Sequence, residues 1–301
     1  MKKYLKYLLF LIFLGCGGGG GSSDSSNNTI NQDLSISLNL VKELAFEVSE
    51  SSGLININGR LFTHNDSGDT ARLYEISPST GLVLRTIIIN GADNVDWEDI
   101  SSDDTNIYVG DFGNNLGSRS DLKVYKLLKT DLLDQLTANA QIINFSYADQ
   151  VNYAYSANTT PYDAEALIVV QNNLYIFSKN WETQVSKVYK LSTTPGSYTL
   201  TSIGEHYFDV LITGASYEPN TNKISLIGYS NPTDLSITFT SKVIILEDFN
   251  ADDFFSAKIT QHTITNSLST GQVESISFDT STQLYITAEG SPAKLYTTAV
   301  N

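Results

Sequence analysis

This chain predicts an all-β fold, a single β-propeller, and three observations carry that expectation. Helix formers are sparse: the 301 residues include one Met and no long Ala/Glu/Lys/Leu stretch with a helical period. Tyr and Phe are abundant, and apolar runs of about four to eight residues alternate with Gly, Asn, Asp, Ser and Pro. A unit of about fifty residues also recurs, with three to four strands in each, which is the period of a propeller blade.

Each unit opens with a small or acidic residue and a strand, then a turn, a second strand with Tyr or Phe near its start, a polar exit and a third strand. The first runs from Ser52-Gly53-Leu54-Ile55 through Arg60-Leu61-Phe62-Thr63-His64-Asn65-Asp66 to Arg72-Leu73-Tyr74. The second joins Glu98-Asp99-Ile100, Ile107-Tyr108-Val109-Gly110-Asp111 and Lys123-Val124-Tyr125. The third joins Glu165-Ala166-Leu167, Leu174-Tyr175-Ile176-Phe177 and Lys187-Val188-Tyr189. The fourth joins Thr213-Gly214-Ala215, Ile224-Ser225-Leu226 and Lys242-Val243-Ile244. The fifth joins Glu274-Ser275-Ile276, Leu284-Tyr285-Ile286 and Lys294-Leu295-Tyr296.

Fourth strands are expected over 83–88, 142–147, 198–203 and 257–262, and a short helical turn over 130–136. The fifth unit runs out of chain after its third strand. Leu38-Asn39-Leu40-Val41-Lys42-Glu43-Leu44 is a strand without a unit, so it is expected to complete the last blade and close the ring, which removes exposed edges. The count is five blades. Six would require a degenerate blade hidden in 149–160, and a two-sheet sandwich is the weaker alternative.

The first residues read as an export signal over 1–15: a basic start, then an apolar run too short to span a bilayer. It ends in Phe13-Leu14-Gly15-Cys16, which resembles a bacterial lipobox with Phe in place of the usual Leu. Cys16 is the only Cys, so no internal disulfide can form, and its lipidation is expected to anchor the chain in the bacterial cell envelope, at the outer membrane or cell surface. The alternative is an ordinary signal peptide with a buried Cys. Residues 16–33, rich in Gly, Ser and Asn, read as a flexible tether, and 34–301 as the propeller.

A net charge of -15 without Lys/Arg clusters argues against nucleic acid and against a basic membrane-binding patch. Contact with the membrane is expected only through the lipid anchor, and the chain is expected to be a monomer. The partner class left open is a small molecule, a glycan or a protein.

In a propeller the start of the first strand and the end of the second lie on one face. Strand-one starts carry Ser52, Glu98 and Asp99, Asp163 and Glu165, Thr213, and Glu274. Strand-two ends carry His64, Asn65 and Asp66, then Asp111 with Asn114 and Asn115, then Lys179, Asn180 and Trp181, then Tyr229, and Glu289. Arg119 is close enough in sequence to join them. Carboxylates crowded at one mouth need a hard cation such as Ca²⁺, or Arg119, Lys179 and water, to relieve their repulsion. Zinc is not indicated, because no Cys/His cluster is present.

The motifs Thr63-His64-Asn65-Asp66-Ser67-Gly68, Asp96-Trp97-Glu98-Asp99-Ile100, Gly110-Asp111-Phe112-Gly113-Asn114-Asn115 and Asp163-Ala164-Glu165-Ala166-Leu167 resemble those of secreted bacterial propeller proteins of unassigned function. The order of channel-facing residues is also similar to that of the apyrase-type calcium-dependent nucleotidases, five-bladed propellers with a central Ca²⁺. That similarity implies a metal set of Ser52 (or Ser49), Glu98, Glu165, Thr213 and Glu274. The basic nucleotide-binding residues of that family have no obvious counterpart here.

Two functions follow. In the first, a tethered binding protein takes a ligand at one mouth around Ca²⁺, using His64, Asn65, Asp66, Asp111, Asn114, Arg119, Lys179, Asn180 and Glu289. In the second, a metal-dependent hydrolase of phosphoesters or phosphoanhydrides uses Asp66, Asp99 or Asp111 to activate water. Plainer roles stand beside both. The stretch from His64 to Gly68 suits an Asx turn, Glu98 and Glu165 could cap backbone N–H groups, and Trp97 and Trp181 suit blade packing.

Overall fold

A computed structural model describes residues 30–234 and 238–300. The expected export signal, Cys16 and most of the tether lie outside these residues. Five sheets make the ring, and it is a five-bladed β-propeller. Blade 1 holds Ser51–Ile57, Arg60–Asn65, Arg72–Ile76 and Val83–Asn90; blade 2 holds Trp97–Ser102, Asn106–Asp111, Lys123–Leu128 and Gln141–Tyr147. Blade 3 holds Ala164–Val170, Asn173–Ser178, Val185–Ser192 and Ser202–Tyr207. Blade 4 holds Leu211–Glu218, Lys223–Tyr229, Ser241–Glu247 and Lys258–Ile264.

Blade 5 is built from Val273–Phe278, Gln283–Ala288 and Lys294–Ala299, and its outer strand is Asn39–Glu43. That strand pairs antiparallel with the last one, Asn39 opposite Thr297 and Leu40 opposite Tyr296, so the ring closes as expected. The stretch 149–160 adds no strand, and its Val151 and Tyr155 are exposed.

One expectation is corrected. The third blade's outer strand is Ser202–Tyr207, whereas Gly196–Leu200 crosses to pair parallel with Gln141–Tyr147 of blade 2. Ile30–Ile36 pairs parallel with Lys258–Ile264 of blade 4. With Thr137–Asn139 on blade 1, these are parallel strands laid along outer edges, where unpaired backbone would otherwise invite another chain. The expected helical turn is the helix Lys129–Asp134.

Alternation along the strands sends apolar side chains to both faces of each blade, and the core is distributed accordingly. Each hydrophobic cluster fills a junction between consecutive blades: Trp97, Ile100 and Phe62 between blades 1 and 2, for example, and Leu54, Tyr74 and Leu295 between blades 5 and 1. Trp97 is fully buried there, edge-on to His64 with ring centroids 5.5 Å apart. The inner strands follow one another around the central channel.

Candidate functional site

All five inner strands break register with the second strand at their start. The breaks lie between Ser51 and Leu54, Trp97 and Asp99, Ala164 and Ala166, Ile212 and Gly214, and Val273 and Ser275. The extra residues are Ser52 with Gly53, Glu98, Glu165, Thr213 and Glu274, which are the residues expected to face the channel. A β-bulge re-aims the side chain it carries, and here it occurs at the same place in every blade. Ser52 rather than Ser49 is the member from blade 1. The face on which these strands begin is called the upper mouth below.

Directly after Ser52, Glu98, Glu165, Thr213 and Glu274 come Gly53, Asp99, Ala166, Gly214 and Ser275. Crowding at the axis explains why most are small: a Cβ on Gly214 would stand 2.8 Å from the Glu274 carbonyl oxygen. Asp99 is the exception, and its carboxylate is consumed. It accepts from Ile100 N at 2.8 Å, Leu167 N at 2.8 Å and Ala215 N at 3.2 Å, tying blades 2, 3 and 4 together. Burial pushes its pKa well up while these N–H groups oppose the shift. Asp99 thus performs the N–H capping that Glu98 and Glu165 were considered for.

Within the bulge ring the two hydroxyls are also committed. Ser52 Oγ donates to the Glu98 carbonyl at 2.7 Å, and Thr213 Oγ1 donates to the Val273 carbonyl at 2.7 Å. Glu165 meets Lys179, whose Nζ lies 2.6 Å from both carboxylate oxygens. Lys179 also donates to the Tyr229 hydroxyl at 3.1 Å and sits 4.8 Å from the Trp181 ring centroid. Gln272 donates to Tyr229 at 3.0 Å and approaches Glu274 at 3.5 Å. Burial works against the Lys179 ammonium, but Glu165, Tyr229, Glu274 and Asp163 outweigh it and hold its pKa well up. Burial raises Glu165 and Glu274 as well, and Lys179 opposes both shifts. We read the shared direction as a retained ammonium serving both glutamates.

Among the described residues no lysine or arginine forms an ion pair with the other acidic group, although the charges of Lys179 and Arg119 act on Asp66 and Asp96. Carboxylate oxygens of Asp66, Asp96 and Glu98 lie within 4.8 Å of one another. Glu98 is 5% exposed, and among the described residues no hydrogen-bond donor reaches its carboxylate. Its pKa is pushed well up by burial, then by Asp66, Glu165, Asp96 and Asp163. Asp96 is pushed up to about 8 by burial, Asp66 and Asp163, with Arg119 opposing. Gly113 packs against this group: a Cβ there would fall 1.9 Å from Glu98 Oε1 and 2.6 Å from Asp96 Oδ2.

The remaining expected residues hold the rim. Asp111 is fully buried and accepts from Arg119 at 2.8 Å, while Arg119 also pairs with Asp121 and donates to the Gly113 carbonyl. Asn114 donates its N–H to Asp163 at 2.6 Å and accepts from Arg119 N at 2.9 Å; Trp181 Nε1 donates to Asp163 at 2.7 Å. Asn65 donates to the Glu47 carbonyl and to Asp69, as a turn residue does. Asn180 accepts from Glu182 N and Thr183 N. His64 is fully buried, with Nε2 unpartnered and its pKa pushed down to about 4 by burial. Glu289 lies with Glu50, Gln272, Phe239 and Leu268 around a cavity of about 660 Å³.

Asp96, Gly113 and Gln272 join the site without having been nominated by the sequence, and Tyr229 was named there only as a strand-two end. The spacing Asp96-Trp97-Glu98, repeated in Asp163-Ala164-Glu165, was a usable signal, because residues two apart on a strand share a face.

No family model matches the chain, and no curated protein does. The chain is similar in structure to the glutaminyl cyclase of Myxococcus xanthus, with a TM-score of 0.51 and 12% identity over 90% of this chain and 100% of that one. It is also similar to a glucose dehydrogenase, with a TM-score of 0.50 and 8% identity over 88% of this chain and 100% of that one. Identities this low establish the propeller fold alone.

Proposed function

We propose that the protein is an envelope-anchored binding module that takes its ligand at the upper mouth around Ca²⁺ held by Asp66, Asp96 and Glu98. The observation that carries this is the buried Glu98 carboxylate, which no donor reaches among the described residues and which faces two further carboxylates. An ion held at about 2.3–2.6 Å from each ligand bridges oxygens up to about 5 Å apart, and all-carboxylate donors suit Ca²⁺. Of the five residues in the nucleotidase-like arrangement, Glu98 is the one shared with this group. Glu165 is ion-paired with Lys179, whose charge also acts on Glu274, while Ser52 and Thr213 donate to carbonyl groups and keep lone pairs that could still face an ion.

The anchor at Cys16 belongs to the same proposal and rests on the sequence. A phosphoester hydrolase is the less favoured reading, since Arg119 and Lys179, the cations that would bind phosphate, are bound to Asp111 and Glu165. Metal analysis of the purified mature protein, followed by thermal unfolding with Ca²⁺ or chelator, tests the reading. Bound calcium and a stabilisation lost in Glu98→Gln are expected. A melting curve indifferent to calcium and chelator overturns it.

A further inference from the structure

The opposite, lower mouth of the channel opens into a cavity of about 470 Å³ to which all five blades contribute. Its size falls in the range of small-molecule sites, about 300–1,000 Å³. It is separate from the acidic group, because Asp99 crosses the channel between them.

Its chemistry is mostly uncharged. The innermost strands leave N–H groups facing the channel, and serines of neighbouring blades accept them. Ser101 Oγ accepts from Val169 N at 3.1 Å, Ser277 Oγ from Asn56 N at 3.0 Å, and Ser216 Oγ from Phe278 N at 3.3 Å. A hydroxyl that accepts through a lone pair still has its own proton to donate, so three O–H donors line this end of the channel. At the rim, the carboxamides of Asn58, Gln171 and Asn172 make no hydrogen bond among the described residues. They supply acceptors as well as donors.

The charged groups of the lining do not ask for an ionic ligand. Asp103 is occupied by Thr105 N, Asn106 N and the Tyr108 hydroxyl, and Glu218 by the Asn220 N–H and carboxamide. Lys129 stands opposite Asp103 and Asp104. Acids outnumber this single cation, which disfavours an anion. Ile55, Val169, Tyr217 and Phe278 provide apolar wall. Mixed donors and acceptors on partly apolar walls suit a molecule with hydroxyls around an apolar ring face. We propose that the lower mouth is a second binding site, for a neutral saccharide of one or two units.

Saturation-transfer NMR on the mature protein tests this with glucose, galactose, xylose, N-acetylglucosamine and their common disaccharides. Three variants accompany wild type. Ser102→Trp plugs the cavity. Gln171→Gly with Asn172→Gly removes two carboxamides at positions whose φ of 48° and 62° glycine accepts readily. Glu98→Gln alters only the upper mouth. The expected result is binding of at least one sugar, weakened about tenfold or more by the first two variants and unchanged by the third. If Ser102→Trp does not fold, the glycine variant decides. The proposal is overturned if no sugar binds at about 10 mM, if binding survives both lower-mouth variants, or if Glu98→Gln abolishes it. The last outcome would place the sugar at the upper mouth, whereas loss of calcium binding alone would leave this inference intact.

Discussion

The bulge ring has two halves built on one backbone geometry with opposite electrostatics. On the side of blades 3 to 5, Glu165 is ion-paired with Lys179, whose charge also acts on Glu274, and Tyr229 and Gln272 complete the network. On the side of blades 1 and 2, Glu98 meets Asp66 and Asp96, and among the described residues no lysine or arginine pairs with its carboxylate. A buried carboxylate that carries its own counter-charge is part of the scaffold; one that lacks it is where the proposed cation would sit. The same glutamate at the same bulge therefore has two meanings, and its neighbours decide which.

Removing the tethered cation should give the largest effect. Lys179→Met strands Glu165 and Glu274 in a buried site, and deleting one partner of a buried pair costs about 3–5 kcal/mol. Chemical denaturation should show that loss, partly regained at lower pH as the glutamates take up protons. A variant as stable as wild type would mean that the two halves do not differ as described.

Supplying a cation to the other half comes next. At a hundredfold excess of Ca²⁺ over Kd, linkage gives about 2.7 kcal/mol of stabilisation. Glu98→Gln should erase that gain while making the calcium-free protein slightly more stable, because one repelling carboxylate is gone. Glu165→Gln should leave the calcium response in place. Equal loss of response in both variants would return the ion to the channel axis, as the five-residue arrangement has it.

The propeller, its closure by Asn39–Glu43 and the five channel-facing positions were all legible in the sequence, because the repeat period and the strand-one starts are local patterns. The partners of the charges were not. Lys179 comes fourteen residues after Glu165, and nothing in that spacing says that its ammonium turns inward, whereas Arg119, similar in composition, is drawn to Asp111. The bulges were invisible too, since an extra unpaired residue leaves no mark on a short apolar run. Gly196–Leu200 was misplaced because a strand's own sequence does not say which of two neighbouring edges it will cover.

Gly113→Ala should sharpen the comparison without touching a charge. Its added methyl group would displace Glu98 Oε1, which lies 1.9 Å from the ideal Cβ position, so the acids must spread. Gly113 is not among the residues with positive φ, and Ala fits its backbone. We expect calcium affinity to fall about tenfold, or about 1.4 kcal/mol, with the Lys179 network unaffected. Calorimetric titration would measure the first, and the stability of the calcium-free protein the second. Unchanged affinity would remove Gly113 and Glu98 from the ion's surroundings.

The smallest effect expected is on the pH dependence of the calcium-free protein. Asp96 is raised from an ordinary 3.8 to about 8, so between those values the folded chain keeps a proton that the unfolded chain has lost. Its contribution is therefore full below the unfolded value and is lost as pH rises through about 8. His64, pushed from 6.5 down to about 4, acts in the opposite direction, its contribution being lost as pH falls through that range. Above pH 6.5 only the acidic group remains, so the melting temperature in chelator should decline from there to pH 8. Solvent around the half-buried Asp96 limits the change to under about 1 kcal/mol. Saturating calcium should flatten the decline, because the ion takes the place of the proton, and Asp96→Asn should reduce it. A melting temperature that stays level in chelator over that range would mean the three carboxylates do not burden one another, and the need for a cation would go with it.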